Sequence, residues 1–232
     1  MVRYLVKYTK EGEIKFISHL DLMRTIQRVI RRAKLPIEYS KGFNPHMSLS
    51  IAQPLSVGVY SCGEYLDVVF TEELKEEEII EALNKHTVGG VKFLNAVKVI
   101  VPENKKVPQG MALIDGAKYI IKLKLKEGKT INFDAIKEIP HWNMLKKTKS
   151  GEKEVDIRSL VKSIEGIVKD DKLVVETVIS CGSRENLSAS LLSDFIKSSF
   201  EEIDKEAFVD IMRVEMYALK DEELIPLDKF FS

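Results

Sequence analysis

Val2-Arg3-Tyr4-Leu5-Val6-Lys7-Tyr8 mixes β-branched, aromatic and charged residues in rough alternation and predicts a strand over 2–8. A helix is predicted over 18–33, where Met23, Ile26, Ile30 and Ala33 form an apolar stripe at helical spacing. Ser18 can cap it, and Asp21 three residues on makes a capping-box-like pair. Pro36 limits its extension. Residues 37–40 and 48–52 read as extended, and 64–70 as a strand rich in β-branched and aromatic residues. Thr71 is expected to cap an acidic helix to about residue 85, with Leu74, Ile79, Ile80 and Leu83 inward. Gly89-Gly90 ends that region, and 91–101 is a last strand.

Prolines, glycines and charges in 102–116 read as a linker. The plan then repeats. Tyr119, Ile121, Leu123 and Leu125 alternate with Lys122, Lys124 and Lys126, a half-buried strand. A short helix over 132–139 closes at Pro140, a hairpin of 142–147 with 153–157 turns around Gly151, 172–180 is a strand, 188–203 a helix and 213–220 the last strand. Strand–helix–strand–strand–helix–strand order implies a four-stranded antiparallel sheet with both helices on one face. The expected fold is therefore α+β: two ferredoxin-like βαββαβ halves, domains 1–101 and 117–232 around linker 102–116, the second half with extra strands.

With 232 residues, the chain is long enough for a sizeable core without disulfide or metal staples. Thirty-six basic residues balance 36 acidic ones, so any electrostatic footprint is local. Cys62 and Cys181 are too few for a protein-held iron–sulfur cluster or a structural zinc site. They read as ordinary half-buried thiols in a reducing, cytoplasmic protein. No apolar run reaches membrane-helix length, so no membrane partner is expected.

Arg24, Arg28, Arg31 and Arg32 recur at helical spacing with Lys34 just beyond, the densest one-sign patch in the chain. Guanidinium groups suit bidentate binding of phosphate or carboxylate. A solvated face, or one paired with acids of the 72–81 segment, has the same pattern. Lys41, Gly42, Phe43, Asn44 and His46 form a turn, with Gly42 free to take positive φ; Phe43 either stacks on a ligand ring or plugs the core. His19, Asp21 and His46 are candidates for proton transfer or a weak metal site, although single histidines are more often structural. Four lysines over 146–153 suit either a phosphate backbone or a lysine-protected edge hairpin. Residues 180–187, ahead of a helix, form a small-residue loop that lacks the nucleotide P-loop pattern.

Taken together, several segments resemble the radical-SAM-linked protein family: Phe16-Ile17-Ser18-His19-Leu20-Asp21-Leu22-Met23-Arg24, Leu35-Pro36-Ile37-Glu38-Tyr39-Ser40-Lys41-Gly42-Phe43-Asn44-Pro45-His46, Gln53-Pro54-Leu55-Ser56-Val57-Gly58-Val59 and Gly63-Glu64-Tyr65-Leu66-Asp67. Lys149-Ser150-Gly151-Glu152-Lys153-Glu154-Val155-Asp156-Ile157-Arg158 and Asn186-Leu187 extend the likeness over nearly the whole chain. One departure is Met47-Ser48, where the family usually has a proline after the histidine. The resemblance implies a domain of unknown function encoded beside, or fused to, a cobalamin-type radical SAM protein. It implies that protein as a partner and hints at RNA or a ribosomal component as substrate. The expected function is a non-catalytic accessory protein, without cofactor or metal, that binds RNA through the arginine ridge and the 41–46 turn. Two alternatives stay open: a RAMP-like RNA-processing endoribonuclease using His19 and His46, and a pure protein–protein adaptor.

Overall fold

The computed structural model describes residues 1–101, 107–148 and 151–231. They form a mixed α+β chain with a large, mostly antiparallel sheet and a few helices. Among the described residues, no helix is long and apolar enough to cross a membrane. Two compact units emerge, Met1–Asp115 with Glu215–Ser232, and Gly116–Val214. The C-terminal segment therefore groups with the first unit rather than with 117–232.

In the first unit the order is β1 (Val2–Lys10), α1 (His19–Arg32), β2 (Leu49–Ile51), β3 (Tyr60–Phe70), α2 (Glu76–His86) and β4 (Phe93–Val99). β1 lies between β4 and β3, and β2 pairs with the other edge of β3. Side chains alternate across a strand. Tyr4, Val6 and Tyr8 of β1, with Leu66, Val68 and Phe70 of β3, share one core with Leu22, Ile26, Val29 and Ile30 of α1 and Ile79 and Leu83 of α2. Arg3, Leu5, Lys7, Tyr65 and Asp67 occupy the alternate positions, on the face turned away from the helices. Gly90 (φ 85°) lets the entry to β4 pass close to Ile14; a Cβ there would lie 2.6 Å from its Cγ2.

The reverse face is polar where it meets the rest of the unit. Arg3 donates to the carbonyls of Val107 and Pro108, and Asp67 accepts from the Gly110 amide. Thus part of the expected linker is built into the unit: α3 (Gly110–Leu113) is helical and β5 (Ile114–Lys124) begins inside the same stretch. Residues 102–106 lie outside the described residues. Lys7 is ion-paired with Glu215 and Asp228, and Tyr65 donates to Glu215, which ties the C-terminal segment to β1 and β3.

In the second unit β5 pairs with β9 (Lys172–Ser180), which pairs with β8 (Val161–Lys169). β6 (Asn143–Thr148) and β7 (Gly151–Asp156) form a separate two-stranded sheet, and α4 (Ala189–Ser199) follows β9. Trp142 stacks on Phe195 of α4 at 4.8 Å. Asp156 and Arg158 act as staples here. Asp156 accepts from the amides of Trp142 and Arg158, while Arg158 donates to the carbonyls of Lys137, Ile139 and Pro140. Replacing Arg158 with alanine hands those exposed carbonyls to water, and should lower stability by about 1 kcal/mol in a denaturant melt. The chain closes with β10 (Asp210–Lys220), which passes from the second unit into the first, and β11 (Glu223–Pro226), which pairs with it.

Several expectations need correction. Thr71 does not cap α2: its hydroxyl and amide are both committed to the Pro36 carbonyl, and the helix starts at Glu76, leaving Glu72 and Glu73 outside it. The short helix expected over 132–139 is present in the 3-10 form, Phe133–Glu138. α4 stops at Ser199 because Phe200 adopts extended angles. β8 is an additional strand that the pattern of residues does not predict; its alternation is interrupted by Gly166, and a Cβ there would overlap the ring of Phe133.

Candidate nucleic-acid interface

Ser18 caps α1 as expected, accepting from the Asp21 amide and donating to its carboxylate. All four arginines of the helix are exposed. Their surroundings differ. Arg24 is paired with Asp21 at 3.0 Å, and Arg32 donates to the His86 carbonyl at the C-terminal end of α2. Arg28 and Arg31 have no hydrogen-bond or ion-pair partner among the described residues. Acids of the 72–81 segment do not neutralise them: Glu73 pairs with Lys98, and Glu78 with Lys75. The Ser18 hydroxyl and Arg24 hold the Asp21 carboxyl below its ordinary range, so it stays charged and engaged locally.

The 41–46 turn is exposed throughout. Its base is closed by Ser40, whose amide donates to the His46 carbonyl and whose hydroxyl accepts from the His46 amide. Tyr39 bridges Met47, and Gly42 takes φ 134°. Phe43 is fully exposed, so it does not plug the core; Met47 is buried there instead, which accounts for an apolar residue after the histidine. Apolar exposure also marks the start of α1, where Phe16, Leu20 and Val57 are each about 60% exposed.

His19 and His46 are not brought together. His19 lies four residues past Lys15, whose carbonyl accepts from Gly58 just before β3. The turn carrying His46 is held at the far end of β3, where Ser48 bonds to Glu38 and Val69. Residues 60–69 span about 30 Å of strand, and four residues reach at most about 14 Å. The segments that carry the two imidazoles are thus anchored toward opposite ends of β3. Nor is any group of three or more His, Cys, Asp or Glu side chains placed to hold a metal among the described residues.

The remaining candidates are more structural. Lys146 donates to the Asn186 carbonyl and faces Lys153 across the hairpin; Lys149 and Ser150 lie outside the described residues. Ser188 caps α4 by accepting from the Leu191 amide, so the loop before it leaves that donor satisfied. Cys181 is buried and Cys62 exposed, rather than both half-buried. Although the residue is exposed, desolvation of its sulfur pushes the Cys62 thiol up, which disfavours a reactive thiolate.

Two features escape a reading of the sequence. One is a cleft of about 270 Å³ in the second unit, lined by Lys122, Lys124, Lys172, Phe208 and Asp210, where only Asp210 opposes three lysines. The other is a cavity of about 310 Å³ in the first unit, on the sheet face away from the helices, lined by Arg3, Ser48, Ser50, Asp67, Val69 and Gln109 among others. A charged residue inside the apolar run Leu66-Asp67-Val68-Val69-Phe70 is the signal that could have found it.

Burial pushes the Asp67 carboxyl above its ordinary value of 3.8, against the lowering effects of the Gly110 amide and Arg3. The folded chain therefore holds this proton to higher pH than the unfolded chain does. Its contribution is greatest at low pH and is lost as pH rises from about 3.8 through the raised value. An Asp67→Asn variant should lack that decline, visible as a flatter plot of unfolding free energy against pH.

No curated protein matches this chain. The solved structure titled "Crystal Structure of a Cbf5-Nop10-Gar1 Complex" is similar at 9% identity and TM-score 0.46, covering 92% of this chain and 48% of that one. The chain thus spans about half the length of that structure's chain. A family model described as "Uncharacterized protein conserved in bacteria (DUF2344)" matches residues 3–189, so the chain belongs to that family.

Proposed function

We propose that this protein is a non-catalytic accessory module that docks RNA, or an RNA-containing ribosomal component, for a separate radical SAM enzyme. The observation that carries the RNA part is the pair Arg28 and Arg31, exposed on α1 without hydrogen-bond or ion-pair partners among the described residues while the neighbouring acid is paired with Arg24. Such guanidinium groups suit phosphate oxygens, and exposed Phe43 offers a ring on which a base can stack. The radical SAM partner rests on the resemblance of the 16–24 and 35–46 segments. Antiparallel order β4-β1-β3-β2, with α1 and α2 on one face, supports reading the first unit as ferredoxin-like. The β5-β9-β8 order supports a second copy whose first helix is replaced by the 3-10 turn and hairpin.

Fluorescence-anisotropy titration with labelled single-stranded RNA at several salt concentrations tests this reading. The affinity should fall linearly with log salt, with a slope of about −0.7 per phosphate contacted. Undetectable binding at low salt rejects RNA as the direct ligand. A second reading, a protein–protein adaptor, draws on the exposed apolar group Phe16, Leu20 and Val57. It predicts capture of the radical SAM protein from nuclease-treated extract, with that capture abolished in Phe16→Ser/Leu20→Ser.

A further inference from the structure

A row of lysines crosses the sheet of the second unit. Lys124 of β5 is directly opposite Lys172 of β9, and Lys172 is opposite Lys169 of β8. Lys122, two residues before Lys124, shares its face. Like charges placed directly opposite destabilise a strand pair, so the fold gains nothing from this row. Edge protection accounts for a lysine on β8, at the end of the strand order, but β9 is paired on both sides. None of Lys124, Lys169 and Lys172 makes a side-chain hydrogen bond or ion pair among the described residues, and Lys122 lies 3.8 Å from Asp210.

Lys122, Lys124 and Lys172 line the cleft of about 270 Å³ together with Asp210 and Phe208. The acids Asp170 and Asp171 are in the turn between β8 and β9, outside that lining. Three ammonium groups against one carboxylate leave two positive charges in the cleft. A phosphate monoester carries about −1.5 to −2 at pH 7 and matches that excess; a carboxylate or a backbone phosphodiester, with a single charge, does not. Lysine ammonium groups act on phosphate as compact point charges. Phe208 is 60% exposed. Its segment is pinned, because Lys197 of α4 donates to the Lys205 and Ala207 carbonyls and the Asp204 amide donates to the Lys124 carbonyl. An aromatic ring held beside a phosphate seat is a platform for a base. The cleft is smaller than most small-molecule sites, so it seats the phosphate and leaves the base against Phe208.

We propose that this cleft binds the phosphate monoester of a nucleotide, with Lys122, Lys124 and Lys172 on the phosphate and Phe208 against the base. The nucleotide is the phosphorylated end of an RNA strand or is free; the RNA source rests on the function proposed above, the cleft itself does not. The probes are adenosine 5′-monophosphate, adenosine and inorganic phosphate, titrated into the full chain and followed by amide chemical shifts. The monophosphate should shift the amides of Lys122, Lys124, Lys172 and Phe208 saturably, and adenosine should not. It should bind at least about fivefold more tightly than inorganic phosphate, a difference that Phe208→Ala should remove. Lys124→Gln/Lys172→Gln should weaken the monophosphate at least about tenfold. That double change should not lower the melting temperature, because the two ammonium groups have no partner among the described residues. No saturable shift at millimolar concentration, equal binding of adenosine or of inorganic phosphate, or unchanged affinity in the double variant overturns the site. RNA strands phosphorylated at both ends or at neither separate the sources. Tighter binding of the phosphorylated strand supports an RNA end; equal binding of the two strands, with the monophosphate still bound, supports a free nucleotide. RNA binding without monophosphate binding overturns the cleft while the arginine ridge stands. Monophosphate binding without RNA binding supports the cleft and rejects RNA as the docked ligand.

Discussion

Reversing Arg28 and Arg31 together to glutamate should lower RNA affinity by at least on the order of 100-fold at low salt and leave the fold intact. A hydrogen bond to a charged group contributes roughly 1.5–3 kcal/mol, and each 1.4 kcal/mol is about tenfold in affinity. Abolishing two such bonds to phosphate, and placing two repulsive charges there instead, accounts for at least that factor. The salt dependence should flatten by about 0.7 for each phosphate no longer neutralised. Stability should barely change, because both side chains are exposed and make no interaction that the fold needs. Arg24→Glu should behave differently, since Arg24 is already paired with Asp21 and its reversal also disturbs the cap region of α1. Anisotropy titration beside a thermal melt separates these outcomes. Equal RNA affinity in the wild-type and double-variant chains would remove the ridge from the binding surface.

Lys7→Met should cost about 3 kcal/mol of stability, read from urea unfolding. The Lys7 ammonium is the cation between Glu215 and Asp228, and it also lies 5.3 Å from the centre of the Tyr65 ring. All three charged side chains are less than one fifth exposed. Removing the cation takes the countercharge from two carboxylates in a mostly dry site, although Tyr65 still donates to Glu215, and breaking a buried pair from one side costs roughly 3–5 kcal/mol. Slight exposure places the expectation at the lower end. Tyr65 reinforces the cluster: burial and the Glu215 charge push its phenol far above the ordinary range, so it remains a donor to that carboxylate. Because Glu215 and Asp228 lie on the C-terminal segment, Lys7→Met should also speed hydrogen exchange in residues 223–231. A loss below about 1 kcal/mol would mean that this segment is held by apolar packing, chiefly of buried Leu227.

Much of the first unit is legible in the sequence because its signals are local. Ser18 and Asp21 mark a cap, the stripe of Ile26 and Ile30 marks a buried face, and the alternation in 2–8 marks a strand. These depend on neighbours two to four residues apart. The second unit is less legible where local propensity gives way to distant partners. The short helix expected over 132–139 takes the 3-10 form, and carbonyls at its end are fixed by Arg158, about twenty residues on. Thr71 has the chemistry of a cap, but the Pro36 carbonyl, far away in sequence, takes its hydroxyl.

The site follows the same rule. The arginine ridge is visible because helical spacing places its members on one side. Nothing local shows that Arg28 and Arg31 stay unpaired while Arg24 and Arg32 do not. Phe43 and Met47 are ambiguous from sequence, since either aromatic or thioether can fill a core; the hairpin base at Tyr39 and Met47 decides which points inward. The cavity cannot be read at all from spacing, because Arg3, Ser50 and Asp67 meet only through strand register.

Photo-crosslinking of bound RNA to the intact chain, followed by mapping of the modified peptides, reads the docking surface itself. The proposed role predicts adducts on Phe43 and on the peptide containing Arg28 and Arg31, both disappearing at high salt. Adducts confined to residues 116–214, with none on α1 or the 41–46 turn, would contradict it.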